Sequence, residues 1–146
     1  MKTVLQRVSR ASVHVNGEII GSINHGLVVL LGIHQNDSEK EIEWMCNKIL
    51  NLRIFEDEEG KMNRSVTDVE GGILIVSQFT LYGTLKKGTR PGFTDAAKPE
   101  TAIPLYEKTI QYLRNNSSLR IETGEFGAMM QVDLINNGPV TIILEK

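Results

Sequence analysis

The sequence has one cysteine, Cys46, among its 146 residues, and it has no long apolar run. A single cysteine excludes an intramolecular disulfide and any zinc or iron–sulfur site that needs several thiolates. The longest aliphatic run covers residues 27–31, whereas a membrane-spanning helix needs roughly 20 apolar residues. The first residues also lack the apolar segment of a secretory signal. We therefore expect a cytoplasmic protein.

The sequence also lacks a large excess of either positive or negative charge. The chain carries 16 Lys and Arg against 18 Asp and Glu, a formal net charge of −2, and 40% of its residues are hydrophobic. This balance argues against a protein that coats nucleic acids through charge alone. The length suffices to bury a core without a metal or a disulfide. No linker or repeat divides the chain, so we expect a single compact domain over residues 1–146.

Alternating and apolar runs predict a sheet-rich fold. The pair Asn16-Gly17 separates residues 4–15 from residues 18–23, and Asn-Gly between two such runs is a strong hairpin signal because both turn residues take positive φ. Residues 27–33 form an apolar run that is typical of a strand buried on both faces. Further strands are predicted at residues 53–55, 73–80, 119–123, 129–135 and 140–144.

Two segments have helical periodicity instead. The first follows a capping-box pair, Ser38 and Glu41, and its apolar residues are Ile42, Met45, Ile49 and Leu52. The second is predicted over residues 100–114, where Pro104 fits only in the first turn, and its buried face is predicted to be Ile103, Tyr106, Ile110 and Leu113. Two helices and about seven strands that do not alternate with them predict an α+β fold with a mostly antiparallel sheet.

Common catalytic signatures are absent. The sequence has no G-x-S-x-G, H-E-x-x-H or G-x-G-x-x-G motif, and the segment from Gly83 to Gly88 lacks the Lys-Ser/Thr pair of a phosphate-binding loop. His14, His25 and His34 lack ligand-like spacing, so we assign them structural or solvent-exposed positions rather than metal binding. Cys46 falls among apolar helix residues, which favours a core position over a nucleophile.

Two polar segments stand out from this background. In Ser77-Gln78-Phe79-Thr80-Leu81-Tyr82-Gly83, hydroxyl and amide groups follow an apolar strand. Backbone N–H groups at such a strand end can converge on an oxyanion, although an edge strand facing water is the simpler interpretation. In Asn136-Asn137-Gly138-Pro139-Val140-Thr141, a Gly-Pro pair interrupts two strands. A plain turn explains this pair most simply, since a cis bond has only about a 5% prior.

Taken together, the two segments resemble the hallmarks of the D-aminoacyl-tRNA deacylase family, namely its S-Q-F-T-L and N-x-G-P-V-T stretches. The resemblance covers essentially the whole chain, and its other motifs are residues 4–8, 26–33, 53–55, 60–63, 87–91 and 126–128. Two positions depart from the family pattern. Asn137 replaces a common aspartate, and Pro104 occupies the second helix. Neither is a hallmark residue.

The resemblance implies a homodimeric enzyme, without a metal or other cofactor, that hydrolyses the ester between a D-amino acid or glycine and the terminal adenosine of tRNA. It implies that Gly138 and Pro139 form a cis element that enters the partner subunit's active site, and that Arg7 holds this element. Pocket residues for the adenosine and the scissile carbonyl are then Ser77, Gln78, Phe79 and Thr80. No membrane and no DNA partner is expected.

Selection of D-amino acids must depend on the space around Cα, because the side chains of the substrates vary. Fixed backbone carbonyls at Gly138 and Pro139 would bind the ammonium group and leave no room for an L side chain. The basic loop residues Lys86, Lys87 and Arg90 are expected to contact tRNA phosphates, which carry little stereochemical information.

Two mechanisms fit the segment around Thr80. Its hydroxyl could attack the ester as a nucleophile, but no His, Lys or Asp is evidently placed to activate it. Alternatively, the amides of Phe79 and Thr80 stabilise the oxyanion while the tRNA 2′-hydroxyl or a bound water transfers the proton. We prefer the second mechanism, because the local sequence offers amides and no base.

Two rival functions belong to other classes. A non-catalytic RNA-binding module would use the basic loop for phosphates and Tyr82 or Phe93 for stacking on a base, but it leaves Gly138 and Pro139 without a role. A general esterase is disfavoured because the sequence shows no nucleophile–base pair.

Overall fold

Strands and helices follow one another in a mixed order in the computed structural model, which describes residues 1–86 and 88–146. Within these residues the elements are β1 (Lys2–Val15), β2 (Glu18–Ile23), β3 (Gly26–Gly32), α1 (Glu39–Asn51), β4 (Phe55–Glu56), β5 (Met62–Arg64), β6 (Gly72–Ser77), a 3-10 turn (Phe79–Tyr82), α2 (Pro99–Asn115), β7 (Ile121–Thr123) and β8 (Met130–Glu145). Two helices and a sheet-dominated core confirm the predicted α+β class. Neither helix of the described residues is long and apolar enough to cross a membrane.

The long strand β1 organises the main sheet. It pairs antiparallel with β8 along one edge, and with β3 and then β2 along the other. The turn between β1 and β2 consists of Asn16 and Gly17, whose φ angles are 51° and 85°. Both angles are positive, as a two-residue Asn-Gly hairpin requires. The predicted hairpin is therefore confirmed.

The remainder of the main sheet is parallel. β6 lies parallel to β3, with Ile73 opposite Leu27, and β7 lies parallel to β6, with Ile121 opposite Ile73. Parallel neighbours need a crossover connection, and α1 and α2 lie in the chain between these strand pairs. The prediction of a mostly antiparallel sheet is thus only roughly right: the three pairs that β1 forms are antiparallel, whereas the β3–β6 and β6–β7 pairs are parallel.

The sheet curls until its two ends nearly meet. β2 and β7 lie at opposite ends of the strand order, yet a Cβ added to Gly21 of β2 would lie 2.6 Å from the Thr123 carbonyl oxygen of β7. The result is a nearly closed, barrel-like sheet. Its interior is filled by aliphatic side chains, namely Val8, Ala11, Val13, Ile23, Val28, Leu74 and Val76.

Both helices pack together beside this sheet and bury a second apolar layer. α1 begins at the capping box that was predicted, in which Ser38 and Glu41 satisfy each other's backbone N–H groups. The predicted buried face of α2 is right for Tyr106 and Leu113 and wrong for Ile103, which is exposed, while Ile110 is only half-buried. Its buried residues are Ala102, Leu105, Tyr106, Thr109 and Leu113.

Pro104 lies inside α2 and not in its first turn. The residue is exposed, so the helix carbonyl that loses its N–H partner there can be hydrated by solvent. The apolar residues on the opposite face hold the helix against the core. This packing explains why the helix continues through Pro104, although a proline was expected only in the first turn.

The last strand also differs from the prediction. Residues 129–135 and 140–144 are predicted to form two strands, but residues 130–135 and 140–144 belong to one strand, β8, of 16 residues. Its pairing with β1 is interrupted twice by register shifts. β1 continues past these interruptions, so it aligns both halves of β8 as one strand.

Candidate active site

A pocket of about 400 Å³ lies where β6 gives way to the 3-10 turn. Three of the predicted site residues line it, Ser77, Gln78 and Phe79. The other lining residues are mostly apolar or small: Leu31, Ile33, Phe93, Ala96, Ala97, Lys98, Pro99, Ala102, Phe126 and Gly127. Its volume lies within the roughly 300–1,000 Å³ of ligand pockets, and an apolar lining with a few polar groups is their usual character.

The local backbone explains why the polar residues gather at this end. Ser77 is the last residue of β6 and lies opposite Leu31 of β3, and the Gln78 N–H donates to the Leu31 carbonyl at 2.8 Å. The chain then turns at once, since the Leu81 N–H donates to the Gln78 carbonyl at 3.2 Å. The first N–H groups of such a turn have no partner within it. The amides of Phe79 and Thr80 occupy these positions.

Thr80 itself is exposed on this turn. Its hydroxyl accepts a hydrogen bond from the Gln78 side-chain amide. An amide cannot remove a proton from a hydroxyl, so this contact does not make Thr80 a nucleophile. Within residues 1–86 and 88–146, Thr80 is not among the residues that line the pocket of its own chain.

Three further side chains with nucleophilic or acid–base chemistry, Cys46, Tyr82 and Tyr106, are buried and protonated at neutral pH. Burial raises the pKa of the Cys46 thiol to about 12. Burial also raises the pKa of the Tyr82 phenol, helped by the negative charges of Asp37 and Glu145, and that of the Tyr106 phenol. Cys46 therefore has the core position predicted for it, and none of the three groups is poised for acid–base chemistry at pH 7.

Aromatic side chains form one wall of the pocket. Phe79 is 56% exposed, and its ring meets that of Phe93 edge to face with centroids 5.0 Å apart. Tyr82 has a different environment, because its side chain is buried and its ring lies 5.2 Å from that of His34. Tyr82 is therefore unable to stack on a nucleobase, which corrects that part of the RNA-binding hypothesis.

Several pocket residues were missed by the sequence analysis. Ala96, Ala97 and Lys98 lead into α2, while Pro99 and Ala102 lie in its first turn. A run of small residues before a helix was the available signal, because small side chains leave space between a helix and a sheet. The segment 126–128 had been singled out only as part of the family resemblance. Two of its residues, Phe126 and Gly127, form part of the pocket wall.

The predicted segment around Gly138 and Pro139 lies on β8. Gln6 pairs with Thr141 and Val8 pairs with Asn136, so residues 137–140 of β8 face a single residue of β1, Arg7. The excess length forms a loop that carries the Gly138–Pro139 peptide, which is cis. Both residues of this peptide are exposed.

Arg7 fills the inner side of this loop. Its side chain is almost completely buried, with 3% of the residue exposed. The guanidinium donates to the Asn137 carbonyl at 3.2 Å and to the Ile54 carbonyl at 2.8 Å, and it pairs with the Glu56 carboxylate at 3.3 Å. A buried arginine is stable only when its donors are satisfied. These contacts anchor one end of the loop to the sheet and to the β4–β5 hairpin.

Within one chain, the pocket beside Ser77 and the Gly138–Pro139 loop lie apart. Among the described residues, neither Gly138 nor Pro139 lines the pocket beside Ser77. The basic loop lies between residues Thr84 and Gly92, which form an isolated bridge. Lys86 and Arg90 are exposed there, while Lys87 lies outside the described residues.

The histidines are dispersed over the fold. The ring of His25 packs edge to face against Phe55, and His14 lies on β1 near Ser12 and Asp133. Both neighbours of His14 contact the same ring nitrogen, Nε2. The arrangement therefore differs from a catalytic triad, in which the acid and the nucleophile contact opposite nitrogens. Residues 1–86 and 88–146 contain no group of three or more His, Cys, Asp or Glu placed to hold a metal ion.

Comparison with other structures shows the same architecture. The chain superposes on a structure titled "c-Myc DNA Unwinding Element Binding Protein" with a TM-score of 0.95, at 51% identity and over 100% of this chain and 99% of the other. It also matches a structure described as a probable eukaryotic D-amino acid tRNA deacylase, with a TM-score of 0.84 over 98% and 97% of the two chains. At 17% identity, this second match shows the fold alone.

Sequence comparison extends over the full length of the chain. A D-aminoacyl-tRNA deacylase of Brevibacillus brevis is 59% identical over 146 residues, which cover 100% of both chains. One of Fusobacterium nucleatum is 60% identical over 99% of this chain and 95% of its own. The family model described as D-Tyr-tRNA(Tyr) deacylase matches residues 4–145. The chain therefore belongs to this family of D-aminoacyl-tRNA deacylases, enzymes that hydrolyse aminoacyl-tRNA.

Proposed function

We propose that this chain hydrolyses the ester bond of D-aminoacyl-tRNA, and of glycyl-tRNA mischarged on another tRNA, releasing the free amino acid and tRNA while rejecting L-aminoacyl-tRNA. The observation that carries the proposal is the apolar pocket beside the first amides of the 3-10 turn, in a chain of this family. In this role the enzyme keeps D-residues out of translation in the cytoplasm.

The pocket suits the 3′-terminal adenosine of tRNA. Its wall includes Phe79, Phe93 and Phe126, and aromatic side chains provide the stacking surfaces on which proteins hold unpaired bases. Ser77 and Gln78 add polar groups at the inner end, where β6 stops. With the base held there, the acylated ribose would lie near the turn at Thr80.

The amides of Phe79 and Thr80 would then stabilise the oxyanion that forms when the ester carbonyl is attacked. They belong to a rigid turn that starts directly from a buried strand, so their orientation is set before substrate binds. Preorganised donors of this kind are worth about 10²–10³-fold in rate each. The proton transfer is assigned to the tRNA 2′-hydroxyl or a water, because the Thr80 hydroxyl contacts only the Gln78 amide within the described residues.

Chirality would be read by Gly138 and Pro139 of a second subunit. In one chain this loop is exposed and does not line the described pocket. β8 pairs only with β1 among the described residues, and its free edge and exposed face carry Ile135 and Ile143, which are 44% and 67% exposed. A long edge strand with exposed apolar residues favours pairing with another chain. A homodimer would cover β8 and deliver the loop to the partner's pocket.

The decisive experiment compares matched D- and L-aminoacyl-tRNA that carry the same amino acid and tRNA. We expect rapid ester loss from the D form and almost none from the L form, followed as release of labelled amino acid. Rapid loss from both would disprove the selection of D-amino acids. If neither is hydrolysed but tRNA binds tightly, the chain is an RNA-binding module. Duplex DNA as a competitor would reveal whether any nucleic acid binding is specific for tRNA.

The basic loop should govern salt-sensitive binding of tRNA and not the choice of D over L. We expect the double substitution Lys86→Ala and Arg90→Ala to raise KM for D-aminoacyl-tRNA and to flatten its dependence on salt concentration, because fewer counterions are released on binding. The ratio of kcat/KM for D and L substrates should stay unchanged.

A matched control removes the same charge elsewhere. Lys61 and Arg64 lie on the β4–β5 hairpin and pair with Glu59 and Glu58, so replacing both with alanine should leave KM nearly unchanged. A changed D/L ratio in the Lys86 and Arg90 variant would contradict the assignment of this loop to phosphate contacts.

A further inference from the structure

We propose that Asn136 is a positioning residue that holds the Gly138–Pro139 loop in its selective geometry through its side-chain amide. The inference rests on the proposed function, because it concerns how the chirality-reading loop is built. It assigns a role to the first residue of the N-x-G-P-V-T stretch, whose side chain lies at the base of this loop and not at its tip.

The register of β8 makes such support necessary. Residues 137–140 have no β1 partners of their own, because Arg7 is the only β1 residue between the two flanking pairs. The backbone of this segment therefore leaves the ladder, and its N–H and C=O groups need other partners. Gly138 and Pro139 are exposed on its outer side.

The Asn136 side chain supplies these partners at the end of the loop. Its Oδ1 accepts from the Val140 N–H at 2.9 Å, and its Nδ2 donates to the Val140 carbonyl at 3.3 Å. Oxygen and nitrogen cannot exchange places here, since the backbone N–H requires an acceptor and the carbonyl a donor. The side-chain amide thus replaces the β1 peptide group that Val140 would otherwise meet.

A third contact joins this arrangement to β1. The Asn136 Nδ2 also donates to the Thr141 hydroxyl at 3.1 Å, and the Gln6 side-chain amide donates to the same oxygen at 3.3 Å. At the other end of the loop, the Arg7 guanidinium donates to the Asn137 carbonyl. The three residues between Asn136 and Val140 are therefore fixed at both ends, by an arginine and by an amide.

Loss of the Asn136 amide should loosen one end only. In Asn136→Ala the Val140 N–H and C=O both lose their partner. In Asn136→Asp the N–H keeps an acceptor, but the carboxylate oxygen that replaces Nδ2 repels the Val140 carbonyl. Either change should let the Gly138–Pro139 carbonyls move relative to the bound ammonium group. We expect a fall in the preference for D over L and not only a fall in rate.

The test measures kcat/KM for D- and L-aminoacyl-tRNA in the wild type, Asn136→Ala and Asn136→Asp. We expect the D/L ratio to fall by about tenfold or more in both variants, the scale of one lost, partly buried hydrogen bond. The matched controls are Asn51→Ala and Asn51→Asp, since Asn51 also donates its side-chain amide to a backbone carbonyl, that of Asn47 on α1. These controls should leave the ratio unchanged.

A second readout does not depend on activity. The Val140 amide should exchange its hydrogen faster in Asn136→Ala than in the wild type, while amides of β3 keep their protection. If Asn136 variants fail to fold, Thr141→Val replaces an exposed hydroxyl by a methyl group. It removes the hydrogen bonds that this oxygen accepts from Asn136 and Gln6 but keeps those between Asn136 and Val140, so it should lower the D/L ratio by a smaller factor.

The outcomes separate this inference from the proposed function. An active wild type whose D/L ratio is unchanged in the folded Asn136 variants, or in Thr141→Val where those do not fold, overturns the role of Asn136 alone. A wild type that hydrolyses neither substrate overturns the proposed function, and the exchange rate of the Val140 amide then still decides whether Asn136 holds the loop.

Discussion

A D-aminoacyl-tRNA that ends in 2′-deoxyadenosine should be hydrolysed about 10²–10⁴-fold more slowly than the same substrate with a 2′-hydroxyl, the range of effects seen when a general acid–base group is lost. The expectation follows from the turn at Thr80. Its amides are proposed to stabilise the oxyanion, and among residues 1–86 and 88–146 the Thr80 hydroxyl is hydrogen-bonded to the Gln78 amide and to no base. The proton transfer is therefore left to the substrate or to water, and single-turnover hydrolysis of the two tRNAs measures the difference.

Thr80→Ala distinguishes this mechanism from nucleophilic attack by the enzyme. The substitution keeps the backbone amide and removes only the hydroxyl, so it should retain a substantial part of kcat. Removal of a true nucleophile would reduce kcat by roughly 10⁴-fold or more. An acyl group trapped on Thr80 and detected by mass after quenching would contradict the mechanism proposed here.

Elements with strong local signals were predictable from the sequence. The Asn16-Gly17 hairpin requires two positive φ angles, which few other residue pairs adopt easily. The start of α1 was marked by the capping box of Ser38 and Glu41. In both cases the residues that carry the signal also make the interaction, so no tertiary information was needed.

Features set by distant contacts were not predictable. The parallel arrangement of β3, β6 and β7 depends on how two helices cross over the sheet, and the strand sequences themselves do not encode direction. The continuity of β8 depends on β1, which aligns both of its halves. A Gly-Pro pair within β8 therefore gave the sequence pattern of two strands and a turn.

In the candidate site, too, residues with a local sequence signal were predictable and residues brought together by folding were not. The polar residues after β6 were found because hydroxyl and amide groups end an apolar strand there. The apolar half of the pocket was missed, because Ala97, Ala102 and Phe126 come from segments that meet only in the folded chain. Asn136 lies in a sequence motif, but the role proposed for it depends on its hydrogen bonds to Val140, which sequence spacing does not reveal.

Gly138→Ala should reduce kcat/KM for D-aminoacyl-tRNA by about 10²-fold, the effect expected when a substrate-binding group is displaced by about 1 Å. Gly138 has a φ of +121°, a region that L side chains rarely adopt, and a Cβ there would lie 2.8 Å from the Arg7 Nη2 and from the Val140 Cγ2. The methyl group cannot be accommodated without moving Arg7 or the loop. Because Arg7 anchors the Asn137 carbonyl, either movement displaces the backbone that is proposed to exclude L side chains.

Gly60→Ala provides the matched control for this substitution. Gly60 also has a positive φ, +75°, but a Cβ added there has no atom within 4 Å. Both variants therefore carry the backbone strain of a positive φ, about 1–3 kcal/mol, while only Gly138→Ala disturbs Arg7. We expect both to lower the free energy of unfolding, Gly138→Ala by more because its methyl group also meets Arg7 and Val140, and only Gly138→Ala to lose activity and D/L preference. Equal kinetics in the two variants would show that the position of the Gly138–Pro139 backbone does not determine which stereoisomer is hydrolysed.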